Sequence, residues 1–260
     1  MDTELRISPI RAFKDNYIWV IHNQTHAVVI DPGAAGPVLD FLHKNRLSLT
    51  AILITHHHSD HVDGIAALVQ HYAAPVYGPA TEIIPCMSIA VREGNTIALK
   101  ELALSLSVLD VPGHTAGHIA YYAHGMLFCG DTLFGCGCGR LFEGTAAQMY
   151  ASLTKFAQLP PSTQVYCAHE YTLDNIAFAL AVDPNNPDLQ ARALTDRDLI
   201  AQGKPTLPSS IAAELATNPF LRCQAAAIQR YVAQASGRSW STPTEIFGQL
   251  RLLKNNFVHK

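Results

Sequence analysis

The segment between residues 56 and 61 constrains this chain most, because its six positions contain four histidines and one aspartate. It directly follows an apolar run, residues 51–54, that is typical of a strand buried on both faces. Along an extended exit from such a strand, alternate side chains point to one side, so His56 and His58 share a face. Imidazole and carboxylate groups bind zinc and similar divalent ions. Because one ion cannot easily use every donor of so short a loop, we predict two adjacent ions, with Asp60 and His61 turned toward the second.

A structural zinc site is the alternative interpretation of this loop. Such sites close four coordination positions, usually with cysteine-rich ligand sets, and the loop contains no cysteine. His57 alternates away from the side shared by its two neighbours, so we interpret it as a supporting or hydrogen-bonding residue. Packing is the simpler interpretation of His118 and His124.

Three further candidate ligands each follow a short strand-like run. They are His114, Asp131 and His169. Strand ends at one edge of a sheet converge in space, so ligands that are far apart in sequence can meet there. Asp131 offers two carboxylate oxygens and is the natural bridge between two ions. A single histidine at a strand end is more often an ordinary packed residue. His114 and His169 are therefore candidate metal ligands only because the loop at residues 56–61 supplies further donors.

Strand-like and helical runs alternate up to His169, and only helical runs follow it. We therefore predict an α/β domain over residues 1–169 and a smaller all-helical domain over residues 170–260, without further strands. In the first domain, residues 119–129 are consistent with a hairpin, and Thr145 is a candidate N-cap. The predicted helices of the second domain cover residues 175–182, 188–202, 209–216, 221–235 and 244–254.

Composition excludes several classes of function. The net charge of −3 offers no basic stripe for nucleic acid, and no apolar run reaches the ~18 residues of a membrane-spanning helix. Six scattered cysteines in 260 residues, with no export signal, do not predict a disulfide framework. We expect a cytoplasmic monomer that acts on a small molecule, with no nucleic-acid or membrane partner.

The arrangement His56-x-His58-x-Asp60-His61 resembles the signature of the metallo-β-lactamase superfamily. The three downstream candidates match its pattern too. The resemblance implies a four-layer αββα sandwich up to about residue 169 and a binuclear metal site. In the implied ligand set, His56, His58 and His114 bind the first metal, Asp60, His61 and His169 bind the second, and Asp131 bridges them.

Other segments resemble the glyoxalase II family of hydroxyacylglutathione hydrolases. These segments are residues 130–134, 137–145, 168–172, 182–185 and 218–222. They span nearly the whole chain and are more specific than the metal loop alone. The resemblance implies hydrolysis of the thioester of S-D-lactoylglutathione to glutathione and D-lactate, the second step of methylglyoxal detoxification.

The same resemblance implies five residues that bind the anionic tripeptide, namely Arg140, Phe142, Tyr171, Arg251 and Lys254. Arg251 and Lys254 lie three positions apart, so on a helix they share a face and match a carboxylate clamp of the family. A solvated helix face is the alternative for this pair. Phe142 stands where other members carry tyrosine, so it keeps the aromatic surface without the hydroxyl.

The predicted reaction uses a hydroxide that bridges two divalent ions, with zinc expected first and iron or manganese also suited to these ligands. Asp60 and Asp131 are the predicted catalytic residues, as orienting group and metal bridge. A thiolate leaves without a strong general acid, and the sequence offers no convincing acid. The alternatives are a lactonase, β-lactamase, RNA-processing nuclease or persulfide dioxygenase of the same superfamily, or a non-catalytic metal-binding protein. The net charge argues against a nuclease, and the full ligand set argues against a single-iron dioxygenase.

Overall fold

The computed structural model describes residues 4–258. Contacts between residues divide the chain into two compact units. The first unit contains the chain up to Asp110 together with Gly117–Gly130, and the second contains Val111–Ala116 together with the chain from Asp131 onward. This division does not test the domain boundary that we expect near residue 169, so that boundary stays a prediction.

The first unit consists of β-strands in two sheets, with helices that pack on one of them. Its elements are, in chain order, β1 (Arg6–Ala12), β2 (Asn16–His22), β3 (His26–Ile30), α1 (Ala35–Asn45), β4 (Ser48–Leu53), α2 (Ser59–Val62), α3 (Ile65–His71), β5 (Val76–Pro79), β6 (Ile89–Val91), β7 (Thr96–Leu99), β8 (Leu104–Asp110), β9 (Ile119–Ala123) and β10 (Met126–Gly130). A 3₁₀ turn, Lys100–Leu102, joins β7 to β8. One sheet has the strand order β1-β2-β3-β4-β5-β6, and β10-β9-β8-β7 are consecutive strands of the other.

Apolar strands and helix faces form the core of the first sheet. Every residue of β2 is buried, as expected of a strand that is covered on both faces. Val29 of β3 and Ile52 of β4 belong to one apolar cluster with Leu42 of α1 and Leu68 of α3. Burial of these side chains against the sheet, more than helix propensity, therefore stabilises both helices.

Parallel pairing in this sheet brings two loops together. β3 and β4 run parallel with Ile30 opposite Leu53, and the N–H of Asp31 donates to the carbonyl of Leu53 at 3.0 Å. The carboxyl ends of parallel strands lie at one edge of a sheet, so the chain after β3 and the loop after β4 emerge side by side. Tyr121 of β9 donates a hydrogen bond of 2.6 Å to the carbonyl of Ile54, which fixes the start of the loop.

The second unit is mainly helical. Its elements are β11 (Leu133–Phe134), β12 (Gly137–Cys138), α4 (Ala146–Ala157), β13 (Gln164–Cys167), α5 (Thr172–Val182), α6 (Pro187–Ala201), β14 (Ser209–Ser210), α7 (Ile211–Thr217), α8 (Ala226–Ser236) and α9 (Pro243–Asn255). β11 and β12 form an antiparallel hairpin, and β13 pairs antiparallel with β14. Cys136, in the turn of that hairpin, packs into the apolar cluster of α5 and α6.

The predicted hairpin and helix cap are confirmed. β9 and β10 pair antiparallel with Ala123 opposite Met126. Thr145 caps α4 by accepting a hydrogen bond of 3.2 Å from the N–H of Gln148, and the Gln148 side chain accepts one of 2.8 Å from the N–H of Thr145. The two bonds form a capping box, so the helix start could be predicted from the sequence.

Two features differ most from the prediction, beyond shifts of one to three residues at other helix ends. The expectation that no strand follows His169 is wrong, because β14 pairs with β13. Two residues are too few to show a strand period, so the sequence carries no signal for β14. α8 begins at Ala226 instead of residue 221, since Leu221 and Arg222 take part in successive turns.

A buried ion network joins α6 to α7. The side chain of Arg192 is 10% exposed and lies 2.8 Å from Glu214 and 3.1 Å from Asp196. Arg192 also donates to the hydroxyl of Thr217 at 2.7 Å. Burial raises the pKa of Asp196, and the nearby guanidinium opposes that shift. Since a buried charge is costly when its partner is removed, this network should be sensitive to truncation.

Glu214→Ala should lower the free energy of unfolding by about 3 kcal/mol, because Arg192 would lose a buried partner. Urea denaturation measures this change. Thr195→Ala, on the exposed side of α6, is the matched control and should shift the free energy by less than about 0.5 kcal/mol. A loss below about 1 kcal/mol in Glu214→Ala would mean that the network contributes little beyond an ordinary hydrogen bond.

Candidate metal centre

The first unit holds the four ligand candidates of the loop after β4. His56 and His61 are buried, and His58 and Asp60 are half-buried. Nε2 of His56 lies 3.1 Å from Nδ1 of His58, and Nε2 of His61 lies 3.6 Å from Oδ2 of Asp60. The ring centroids of His56 and His61 are 4.1 Å apart. These side chains belong to groups whose donor atoms lie within 4.8 Å of one another, a spacing compatible with a metal site.

The spacing and direction of these donors fit metal ligation. A tetrahedral ion with Zn–N bonds of about 2.0–2.1 Å holds its ligand nitrogens about 3.3–3.4 Å apart, close to the separation of the two facing nitrogens of His56 and His58. His58 is the N-cap residue of α2. Asp60 and His61 therefore project from a helical turn, whereas His56 projects from the extended chain.

Asp31 orients this ligand loop. Its carboxylate accepts hydrogen bonds from the N–H of Thr55 at 2.8 Å and from the Thr55 hydroxyl at 2.7 Å, and it lies 3.1 Å from Nδ1 of His61. The Thr55 hydroxyl is in turn 3.0 Å from Nδ1 of His56. Partners at Nδ1 select the tautomer whose Nε2 carries the lone pair that a metal needs.

Asp31 was not among the residues predicted from the sequence, where it begins an Asp-Pro-Gly segment, residues 31–33. Asp31 has a φ of 52°, a conformation that aspartate tolerates better than most residues. Its role follows from the parallel pairing of β3 with β4, which sets Asp31 beside Thr55. A sequence signal would have required that register, because an Asp-Pro-Gly turn is common in loops of many kinds.

Asn16 and Gly33 fix the position of Asp60. The side-chain amide of Asn16, at the start of β2, donates to Oδ2 of Asp60 at 2.9 Å. A Cβ on Gly33 would overlap the carbonyl oxygen of Asp60, so only glycine allows the loop to approach so closely. Both contacts hold the carboxylate of Asp60 close to His61.

The second unit holds the other three ligand candidates, and all three are buried. Oδ2 of Asp131 lies 3.4 Å from Nε2 of His114, and Oδ1 lies 3.4 Å from Nε2 of His169. Each carboxylate oxygen therefore faces a different histidine, which is the arrangement that a bridging carboxylate needs. Nδ1 of His114 donates to the carbonyl of Arg140 at 2.9 Å, so Nε2 is the nitrogen left for a metal.

Aromatic rings surround these two histidines. Tyr171 stacks on His169 with ring centroids 4.7 Å apart and an interplanar angle of 6°. Phe142 meets the edge of His114 at 5.2 Å, and 63% of its surface is exposed. Both aromatic residues that are predicted to bind substrate thus lie against candidate metal ligands.

The predicted basic pair does not form a simple solvated helix face. Arg251 of α9 is buried and donates to the carbonyl of Cys138 at 2.7 Å. Lys254, one turn further, donates to the carbonyl of Asp174 at 2.9 Å. Arg140 is exposed, and its charge acts on Lys254.

Lys254 has an unusually low pKa. Burial, together with the positive charges of Arg251 and Arg140, lowers the pKa of its ammonium to about 8, while Asp174 opposes the shift. A cluster of cations that repel one another is most stable with an anion between them. The cluster is therefore suited to the carboxylate of a small acidic ligand.

His57 and His118 have hydrogen-bonding and packing contacts, whereas the packing interpretation of His124 is wrong because that residue is exposed. Nδ1 of His57 lies 2.9 Å from Oε2 of Glu82, as expected of a supporting residue. His118 is buried and stacks on His56 at 4.6 Å. His124 is exposed in the turn between β9 and β10.

The fold and the donor sets define a class of protein. Residues 13–169, more than half of the chain, match the metallo-beta-lactamase superfamily. Together with the His and Asp clusters, this match makes the chain a metal-dependent hydrolase with the metallo-β-lactamase fold, as predicted.

The remainder of the chain specifies the family. Residues 170–257 match the hydroxyacylglutathione hydrolase C-terminus. The hydroxyacylglutathione hydrolase of Nitrosomonas europaea is 56% identical over 97% of each chain, and that of Photobacterium profundum is 51% identical over 97% of this chain and 100% of the relative. The chain belongs to the hydroxyacylglutathione hydrolase family.

Solved structures agree with this fold. ETHE1 from Myxococcus xanthus aligns with a TM-score of 0.66 and 26% identity over 97% of this chain and 90% of that one. The BLEG-1 B3 metallo-beta-lactamase aligns with a TM-score of 0.63 over 84% of this chain and 100% of that one. At 22% identity, the second likeness concerns the fold alone. Across residues 4–258, none of the helices has both the length and the apolar character needed to span a membrane.

Asp31→Asn should weaken metal binding by about 10- to 100-fold, because the carboxylate that orients His61 and Thr55 is lost. Asparagine tolerates the positive φ at this position, so the backbone should persist. Competition with a chelator of known affinity measures the change. Asp40→Asn, at an exposed position of α1, is the control, and equal affinities for both variants and the parent protein would refute the orienting role of Asp31.

Proposed function

We propose that the chain hydrolyses S-(2-hydroxyacyl)glutathione thioesters, with S-D-lactoylglutathione as substrate and D-lactate and glutathione as products. One observation carries this proposal: the match of residues 170–257 to the hydroxyacylglutathione hydrolase C-terminus. A metallo-β-lactamase fold alone would leave the substrate open, since one fold serves many reactions. The relatives with this name cover nearly the whole chain.

The two donor sets would together hold two divalent ions. In this proposal His56, His58 and His114 bind the first ion, Asp60, His61 and His169 bind the second, and Asp131 bridges them. The two oxygens of Asp131 support the bridge, because each faces a different histidine at 3.4 Å. When bound, the ions would lower the pKa of water toward about 7 and polarise the thioester carbonyl. Zinc suits the nitrogen-rich set, and iron or manganese would also be accepted.

The side chains of the loop would orient the reacting groups. Asn16 donates to one oxygen of Asp60, so the position of that carboxylate does not depend on the substrate. The leaving group is a thiolate with a conjugate acid of pKa about 8.5, so no side chain needs to protonate it. This agrees with a site in which, among residues 4–258, we assign proposed metal ligands but no general acid.

The cationic cluster would bind the glutathione portion. Arg140, Arg251 and Lys254 supply positive charge, and the α9 pair suits the glycine carboxylate of the tripeptide. Tyr171 and Phe142 would pack against the substrate beside His169 and His114. We further propose that the protein works as a cytoplasmic monomer with no nucleic-acid or membrane partner.

Purified protein should hydrolyse S-D-lactoylglutathione, and a chelator should abolish turnover. Asp60→Asn and His56→Ala should each lower kcat by at least about 100-fold, because each removes a proposed metal ligand at the reacting centre. Thioester absorbance measures the rate. Asp63→Asn, an exposed neighbour on the same loop, should retain the parent rate.

Near-parental rates in Asp60→Asn with its metal content verified would contradict the assignment. If the metallated parent protein left glutathione thioesters intact but cleaved a lactone, a β-lactam or a persulfide, the substrate proposal would be wrong and another superfamily chemistry would replace it.

The value of kcat/KM should fall by about tenfold between pH 7 and pH 9.5, on the scale of one charged hydrogen bond. The pKa of Lys254 is lowered to about 8, so the ammonium is charged below that pH and neutral above it. The substrate carboxylate would lose its partner as the pH rises. Lys254→Arg keeps the charge and should flatten the profile, whereas an unchanged fall in that variant would assign the titration to another group.

A further inference from the structure

Phe13 has a backbone conformation that is unusual for an aromatic residue. Its φ is 50°, in the left-handed region that bulky side chains rarely adopt. It is the first of three residues that connect β1 to β2, whose register pairs Ala12 with Asn16. Glycine, asparagine and aspartate adopt this conformation most readily. A bulky residue held in such a sparsely populated conformation is a starting point for a functional hypothesis.

Burial does not explain why phenylalanine occupies this turn. The side chain is 63% exposed, so its ring contributes little to the core. One edge of the ring borders Gly33, since a Cβ on that glycine would lie 3.0 Å from Cε2 of Phe13. The same Cβ would overlap the carbonyl oxygen of Asp60. The ring and the backbone of Asp60 therefore border one glycine.

Asn16 fastens the other end of the turn to Asp60. It is the first residue after the three-residue connection, and its amide donates to Oδ2 of Asp60 at 2.9 Å. The turn is thus attached to Asp60 on both sides, through Gly33 and through Asn16. An exposed aromatic ring is therefore held near the backbone of Asp60, whose carboxylate we place at the reacting centre.

We propose that Phe13 is a specificity-determining residue that forms an apolar wall for the acyl group of the thioester. The inference rests on the proposed function and assigns a further residue to that reaction. The residues proposed for the tripeptide all come from the chain after Asp131, so the acyl group has no assigned partner. Acyl carbons lie directly beside the carbonyl that is hydrolysed, and an aromatic face beside Asp60 offers them apolar contact.

The test compares S-acetylglutathione with S-butyrylglutathione as substrates of the metallated protein. Each methylene group of the substrate that leaves water on binding raises the affinity about fourfold. The proposed wall covers one side of the acyl chain, so only part of this gain depends on Phe13. Phe13→Gly should therefore lower kcat/KM for the butyryl thioester by about five- to tenfold and for the acetyl thioester by less than about twofold. Phe13→Leu keeps an apolar side chain, so its kcat/KM for the butyryl thioester should lie close to that of the parent protein.

Thermal unfolding supplies a readout that is independent of turnover. Phe13→Gly should keep or raise the Tm, because glycine adopts a positive φ without strain. His124→Gly is the matched control, since His124 is exposed in the β9–β10 turn with a φ of 46°. That variant should shift the Tm in the same direction and leave both kcat/KM values unchanged.

The outcomes separate the two proposals. If the parent protein cleaves both thioesters and Phe13→Gly changes their kcat/KM values equally or leaves them unchanged, the inference about Phe13 is wrong and the proposed function stands. If the metallated parent protein cleaves no glutathione thioester, the proposed function is wrong and the inference about Phe13 falls with it.

Discussion

The carboxylate of Asp31 accepts two hydrogen bonds from Thr55 and lies 3.1 Å from the ring of His61. Through Thr55 it also controls the environment of Nδ1 of His56. This arrangement exists because β3 and β4 run parallel and end at the same edge of the sheet. Strand pairing and these hydrogen bonds therefore both contribute to the geometry of the ligand loop. A loop of this kind loses little conformational freedom when it binds an ion, which favours tight binding.

The helical part of the chain helps to position the second donor set, which consists of His114, Asp131 and His169. The β11–β12 hairpin lies in sequence between Asp131 and Arg140, and buried side chains of α5 and of the C-cap residue of α7 hold it. Asn175 of α5 donates to the carbonyl of Gly135 at 3.0 Å, and Asn218 donates to that of Gly137 at 2.9 Å. The segment that matches the family-specific C-terminus therefore supports the hairpin that follows Asp131, the proposed bridging carboxylate. It also contains Arg251 and Lys254, which we propose as cations for the substrate.

The four proposed ligands of the loop after β4 stand out in the sequence because their chemistry is unusual at such short spacing. Four donors within six positions after an apolar strand rarely serve packing alone, and the capping box of Thr145 is equally local. Asp31 could not be predicted, because its role depends on which strand lies beside β4. The strand β14 is too short to show a period. The conformation of Phe13 is likewise invisible in the sequence, since nothing in the turn composition indicates a positive φ for an aromatic residue.

The central claim is that seven side chains hold two ions with Asp131 between them. Calorimetric titration of metal-free protein with Zn²⁺ tests it most directly, with Asp131→Asn measured in parallel. The account predicts close to two ions per chain for the parent protein and the loss of at least one of them, or of most of its affinity, in the variant. A single ion per chain in the parent protein, or two tightly bound ions that the variant retains with unchanged affinity, would contradict the account.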